Sequence, residues 1–170
     1  MRIRYLIIAI IAFGCLAYFL PAPAPVSSGI LIKDWSLAKP FGDATKLTDD
    51  KTKRIVEISF GEPVSLDDWL FPGKVTIFDF FSKGCSPCRL MRPLIEQRTS
   101  EFEGAALRII NINRPDVRGI DMESPVALQY KLQAVPHYIV FDAAGKKCAE
   151  GQPAHDAIMA WIQESPSREE

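Results

Sequence analysis

Cysteine and histidine are both scarce in this 170-residue chain, with four of the first and two of the second. Four cysteines, two of them isolated, are too few to hold a small scaffold together by disulfides. His137 and His155 are too few and too far apart to argue a metal site. Excess charge is also missing: 20 basic residues meet 21 acidic ones, the formal net charge is −1, and no bulk electrostatic case for nucleic acid exists. The one short basic run, Lys51 to Arg54, reads as a solvated loop, and no internal repeat is visible. What is present is a 48% hydrophobic content, enough for a core of one ordinary domain with an extension to spare.

Residues 1–28 differ in kind from the rest. Arg2 and Arg4 precede an uncharged stretch from Tyr5 to Leu20, followed by Pro21-Ala-Pro-Ala-Pro25. A short positive segment, an apolar run and then small residues describe a secretory signal or an uncleaved signal anchor. With the two arginines held in the cytoplasm, the remainder is expected outside it. Ala22-Pro-Ala24 and Val26-Ser-Ser28 are candidate cleavage sites, and cleavage would leave an exported soluble protein. Pro25 is a poor neighbour for processing, and Cys15 lacks the lead of a lipoprotein signal, so an anchor through residues 5–20 with a stiff Pro/Ala spacer is preferred. Residues 29–53 show little periodicity and form an irregular lead-in; residues 165–170 are a polar tail.

Regular patterning runs over 54–164. Val56, Ile58 and Phe60 alternate as in a half-buried strand. Ser65-Leu-Asp-Asp68 resembles a capping box opening a short helix with Leu66, Trp69 and Leu70 as its apolar face. Val75 to Phe81 is a nearly continuous apolar run, the mark of a buried strand. It breaks at Ser82-Lys83-Gly84 and resumes with helical spacing through Met91, Leu94 and Ile95, continuing past Pro93 to about Phe102. Ala106 to Asn113 reads as a second buried strand, parallel to the first by a right-handed crossover. Ser124-Pro125 opens a helix to about Leu132. His137 to Phe141, a turn ending at Gly145, a hairpin partner around Lys147 to Glu150, and a last helix marked by Ile158, Trp161 and Ile162 complete the order. Cys148, in that last strand, is expected to be a buried thiol.

The sharpest signal is Cys85-Ser-Pro-Cys88, placed where strand hands over to helix. First-turn amides of a helix lack internal partners, and the dipole there is positive. A thiolate at Cys85 is stabilised by both, which lowers its pKa toward the range for attack on a disulfide at neutral pH. Cys88, one turn on, is placed to resolve the mixed disulfide.

The order β-α-β-α-β-β-α with Cys-x-x-Cys at the first long helix resembles the thioredoxin fold, a mixed central sheet flanked by helices. Phe78-Asp-Phe-Phe81, Pro93, Asn111-Ile-Asn113, Val135-Pro136 and Gly145 stand where that family keeps its active-site strand, kink proline, next strand end, cis-proline and hairpin turn. The resemblance implies that Cys85 attacks and Cys88 resolves. It makes Asp79 the buried acid that moves the resolving thiol's proton, with a pKa raised by its apolar strand. It makes Pro136 cis, presenting Val135 to an extended substrate segment. Two departures stand out: Gly84 replaces the usual tryptophan, removing part of the substrate-facing surface, and Ile109 replaces a lysine near the buried acid, leaving Asp79 without that counter-charge.

The expectation is therefore a protein-disulfide oxidoreductase, anchored in a bacterial inner membrane with its domain in the periplasm, and acting on cysteine pairs of exported proteins. The reducing direction is favoured, with a membrane electron donor or acceptor as partner. No cofactor is expected beyond the Cys85–Cys88 disulfide, no metal, and no nucleic acid. The alternative is a module of the same fold that carries a soft metal such as copper between the two thiolates, although no third ligand lies near them in sequence.

Overall fold

The seven residues Val75–Phe81 are all buried, which only the middle of a sheet covered on both faces allows. In the computed structural model, which describes residues 50–163, this strand, β2, lies between a parallel and an antiparallel neighbour. The sheet has five strands in the order β1 (Ile55–Phe60), β3 (Ala105–Asn111), β2, β4 (His137–Phe141), β5 (Lys147–Glu150). β1 and β2 both run parallel to β3, and β4 runs antiparallel to both β2 and β5. Helix α1 (Ser86–Glu101) makes the crossover from β2 to β3, α2 (Pro125–Gln129) precedes β4, and α3 (Gln152–Gln163) follows β5.

Alternation along β2 divides the interior in two. Phe78 and Phe80 face a core of Val64, Leu66, Ile110, Ile112, Val126 and Ile139. Phe81 faces the other way, under the α1 side chain Arg92, whose guanidinium carbon lies 3.8 Å from the ring centroid. Asp79 is two residues from Phe81, so it too points toward the α1 side. The expected mixed sheet, crossover, hairpin and final helix are all present. The hairpin turn is closed by Asp142, whose Oδ1 accepts from the backbone N–H groups of Ala144 and Lys146, and by Gly145 at φ +80°.

Four local expectations are corrected. β1 does not alternate cleanly: the register slips between Glu57 and Ser59, so Val56 and Ser59 are buried while Ile58 and Phe60 are only partly so. An extra residue in a strand shifts the following side chains to the other face. Ser65 caps nothing, because the segment is a single 3₁₀ turn, Asp67–Trp69, with Leu66 at its cap position. Leu66 is buried nonetheless, and Trp69 and Leu70 pack partly buried against the same core. α2 stops at Gln129 rather than Leu132, since Lys131 turns into the left-handed region at φ 50°. Its predicted cap is in place, with Ser124 Oγ accepting from Ala127 N–H at 3.2 Å. Finally, Cys148 is exposed and is not a free thiol; it lies in β5, an edge strand of the sheet. The apolar segment expected to be an anchor and the polar tail lie outside the described residues; among the described residues no helix is long and apolar enough to cross a membrane.

Candidate active site

α1 starts at the site because Cys85 takes its N-cap position, with extended backbone (φ −92°, ψ 111°) and Pro87 in the first turn. Proline is pre-set for that turn and gives up an N–H that has no helical partner anyway. The Cys85 sulfur accepts from the Cys88 backbone N–H at 3.1 Å. No acidic side chain sits in the first turn to oppose a developing thiolate. Cys85 and Cys88 are joined as a disulfide with Cα atoms 5.3 Å apart. Each is 2% exposed, so the pair is set into the surface and does not protrude.

The Val135–Pro136 peptide is cis, as the resemblance implied. The Val135 carbonyl oxygen lies 3.4 Å from the Cys85 sulfur, which places β4's lead-in directly beside the reacting atom. A groove of about 460 Å³ continues from there, lined by Pro87, Met91, Pro136, His137, Gly151 and His155 among others. His137 thus belongs to the edge of the site. Burial depresses its pKa, against the opposing pull of Glu150 at 3.6 Å.

Gly84 borders the cysteines on the other side. A Cβ built there would meet the Gly119 carbonyl carbon at 2.6 Å, so the loop after β3 fills the space that a larger residue before Cys85 would need. That loop is pinned by Asn113, whose Nδ2 donates to the carbonyls of Gly119 (2.7 Å) and Val117 (3.2 Å), and by Ser82 Oγ donating to Gly119 at 2.9 Å.

Asp79 is 1% exposed, and its Oδ1 has no hydrogen-bond partner among the described residues. Burial pushes its carboxyl up to about 7; Arg92 pulls the other way, and Glu96 and Glu57 add to the rise. The departure at Ile109 therefore does not leave Asp79 without a cation: the positive charge arrives from α1 instead of β3. Sequence reasoning missed Arg92 because the α1 stripe was read through Met91, Leu94 and Ile95. The buried positions are Cys88, Arg92, Ile95 and Thr99, at i, i+4, i+7 and i+11. Glu57, in the expected β1, was overlooked for the same reason: its charge reads as the solvent side of an alternating strand. Among the described residues no group of three or more His, Cys, Asp or Glu side chains is gathered to hold a metal ion.

A cysteine pair joined as a disulfide at a helix start, beside a cis-proline loop, in a fold that also buries an acid on the same side of the sheet, defines a thiol–disulfide exchange site. The model of the Thioredoxin family matches residues 61–164, and the chain belongs to that family. It is similar to thioredoxin 1 of Chlorobaculum tepidum, 27% identical over 78 residues covering 45% of this chain and 70% of that one. It is also similar to a thioredoxin of Staphylococcus aureus, 29% identical over 84 residues covering 49% and 67%. Among solved structures it is similar to reduced Schistosoma mansoni thioredoxin pre-protein, with 20% identity, a TM-score of 0.46, and coverage of 64% of this chain and 99% of that one. The protein is a thioredoxin-type protein-disulfide oxidoreductase.

Proposed function

We propose that this oxidoreductase works outside the cytoplasm, tethered by residues 5–20, and reduces disulfides in exported proteins. Cys85 attacks a substrate sulfur and forms a mixed disulfide while the first substrate thiolate leaves. Asp79 takes the proton of Cys88, and the Cys88 thiolate attacks the Cys85 sulfur. The second substrate thiolate is expelled and protonated, so the substrate gains the two electrons that the dithiol loses. A membrane dithiol donor then returns two electrons to the pair. The observation that carries the reading is the Cys88 N–H directed at the Cys85 sulfur at 3.1 Å, since the same donor stabilises Cys85 as attacking and as leaving thiolate. Val135 and Pro136 give an extended substrate segment a backbone edge beside that sulfur. The charge pattern of residues 1–28 supports the location.

Insulin-disulfide reduction by wild type and by Cys85→Ser tests the chemistry: turnover is expected to vanish in the variant, and unchanged turnover ends the reading. Equilibration of the Cys85–Cys88 pair with glutathione tests the direction. A potential near the thioredoxin value of about −270 mV supports a reductant, whereas one well above it makes the protein an oxidant. Carbonate extraction and protease accessibility in spheroplasts test the tether and its side.

A further inference from the structure

Arginine is seldom fully buried on the inner face of a helix unless something fixes it there. Arg92 lies one turn beyond Cys88 on that face of α1 and is 7% exposed. Its guanidinium lies over Phe81, its Nε donates to Glu96 Oε1 at 3.0 Å, and its Nη2 is 3.8 Å from Glu57 Oε2. Beneath it the strands are in register: Glu57 pairs with Ile109, and Ile109 pairs with Asp79. Paired residues of neighbouring strands project to the same face about 4.8 Å apart, so two acidic residues with backbones about 10 Å apart flank an isoleucine, with one cation on the same side of the sheet. Asp79 Oδ1 is buried without a hydrogen-bond partner among the described residues, and the Asn111 side chain acts on the buried Glu57 carboxyl.

We propose that Arg92, held by Glu57 and Glu96, is the positioning residue for the proton that Asp79 exchanges with Cys88, and that Glu57 sets how strongly Arg92 acts. This rests on the reading of Asp79 as the proton carrier of the dithiol. When Cys88 gives up its proton, Asp79 goes from carboxylate to acid, and the charge facing Arg92 falls by one; when the proton leaves, the cation again opposes an anion. Arg92 favours the carboxylate, Glu57 and Glu96 favour the acid, and their balance keeps Asp79 able to do both. The other groups on this face are Tyr138 of β4, whose phenol is held neutral by burial beside Asp79, and His155 of α3, its ring 6.0 Å from that of Tyr138. Lys83 acts on Glu57 from the loop before α1.

The test is titration of Asp79 by carboxyl ¹³C NMR in the wild type, Arg92→Met, Arg92→Lys and Glu57→Gln proteins, with the pH profile of insulin reduction for each. Arg92→Met is expected to raise the Asp79 midpoint by about one unit or more and Glu57→Gln to lower it. Arg92→Lys is expected to restore most of the wild-type value and keeps the test decisive if the methionine variant does not fold. The rising limb of the rate profile should follow each midpoint. Midpoints unmoved in folded variants overturn the role of Arg92 while leaving Asp79 as the carrier. Midpoints that move under an unchanged rate profile overturn the proposal from the other side, by removing Asp79 from the proton path.

Discussion

Gly84 and Gly119 approach so closely that a methyl on Gly84 would lie 2.6 Å from both the carbonyl carbon and oxygen of Gly119. The loop carrying Gly119 therefore fills the space that a side chain at position 84 would need, and what lies beside that position is backbone. Backbone cannot swing aside as a flexible side chain can. Gly84→Ala is expected to destabilise the protein by roughly 1–3 kcal/mol and to raise hydrogen exchange at Val117 and Gly119. Lys83→Ala, at the exposed neighbouring position, is the control and should change neither. Equal denaturation midpoints for Gly84→Ala and wild type would show that the loop yields without cost.

Asp79 carries a stability cost of calculable sign. Its folded pKa of about 7 lies above the ordinary aspartate value of 3.8. Between those two values the folded state holds a proton that the unfolded state has released, so stability falls as pH rises through the window. Asp79→Asn removes the titration and is expected to stabilise the protein by roughly 2–4 kcal/mol at pH 8, with little difference at pH 3.5. Urea denaturation at the two pH values measures it. A stabilisation independent of pH would mean that the carboxyl does not titrate in this range. The same variant is expected to slow insulin reduction, so stability and activity would move in opposite directions.

How much of this was legible in the sequence follows from the range over which each feature acts. β2, α1 and the Cys85–Cys88 placement depend on periodicity and a break at Ser82–Gly84, which are local signals, and they stand as read. Cis Pro136 was reached through the family's motif order and not from its own neighbours. The slip in β1 was not legible, because register is set by the β3 partner, and Ser59 looks no more inward than Ile58 in the strand's own pattern. Arg92 and Glu57 look like solvated charges in isolation; only the packing of α1 on the strands brings them within 3.8 Å of each other with both side chains mostly covered. Asn113-Arg-Pro-Asp116 carries the residues of a turn, and nothing local says that the chain running on from it to Asp121 comes to rest against Gly84.

Arg108 shows the same limit. It sits in β3 amid an apolar run, and its guanidinium donates to the carbonyls of Lys53 (2.6 Å), Trp69 (2.8 Å) and Lys51 (3.2 Å), under the rings of Trp69 and Phe71. Burial lowers its pKa to about 10, so it remains charged at neutral pH. A single fork thus ties the lead into β1 and the 3₁₀ turn to the sheet. Arg108→Met keeps the apolar stem but strands three acceptors, and a loss of roughly 2–4 kcal/mol is expected. Arg108→Lys should recover little of it, because an ammonium cannot match the fork. Denaturation midpoints close to wild type in both variants would show that water satisfies those carbonyls instead.

The loop that backs Gly84 is closed by a two-toothed ion pair, and its stability should depend on acid. Arg114 Nε donates to Asp121 Oδ2 at 2.8 Å and Nη2 to Oδ1 at 3.0 Å, while the Arg114 backbone N–H reaches the same carboxylate at 3.2 Å. These bonds hold the Asp121 carboxyl below its ordinary value of 3.8. With a lowered folded pKa, the contribution is fully present above pH 3.8 and is lost as pH falls through the folded value. The arginine side is 44% exposed, so solvent screens the pair, and about 0.5–1 kcal/mol is the expected scale for Asp121→Asn at pH 7. The more telling consequence is local: with the clasp opened, Gly119 is free to retreat, and the space beside Gly84 grows. Asp121→Asn should therefore relieve much of the penalty of Gly84→Ala, making the double variant less damaged than the sum of the two singles. A double-mutant cycle measured by urea denaturation at pH 7 decides the point, since strict additivity would mean that the loop is fixed by Asn113 and Ser82 alone.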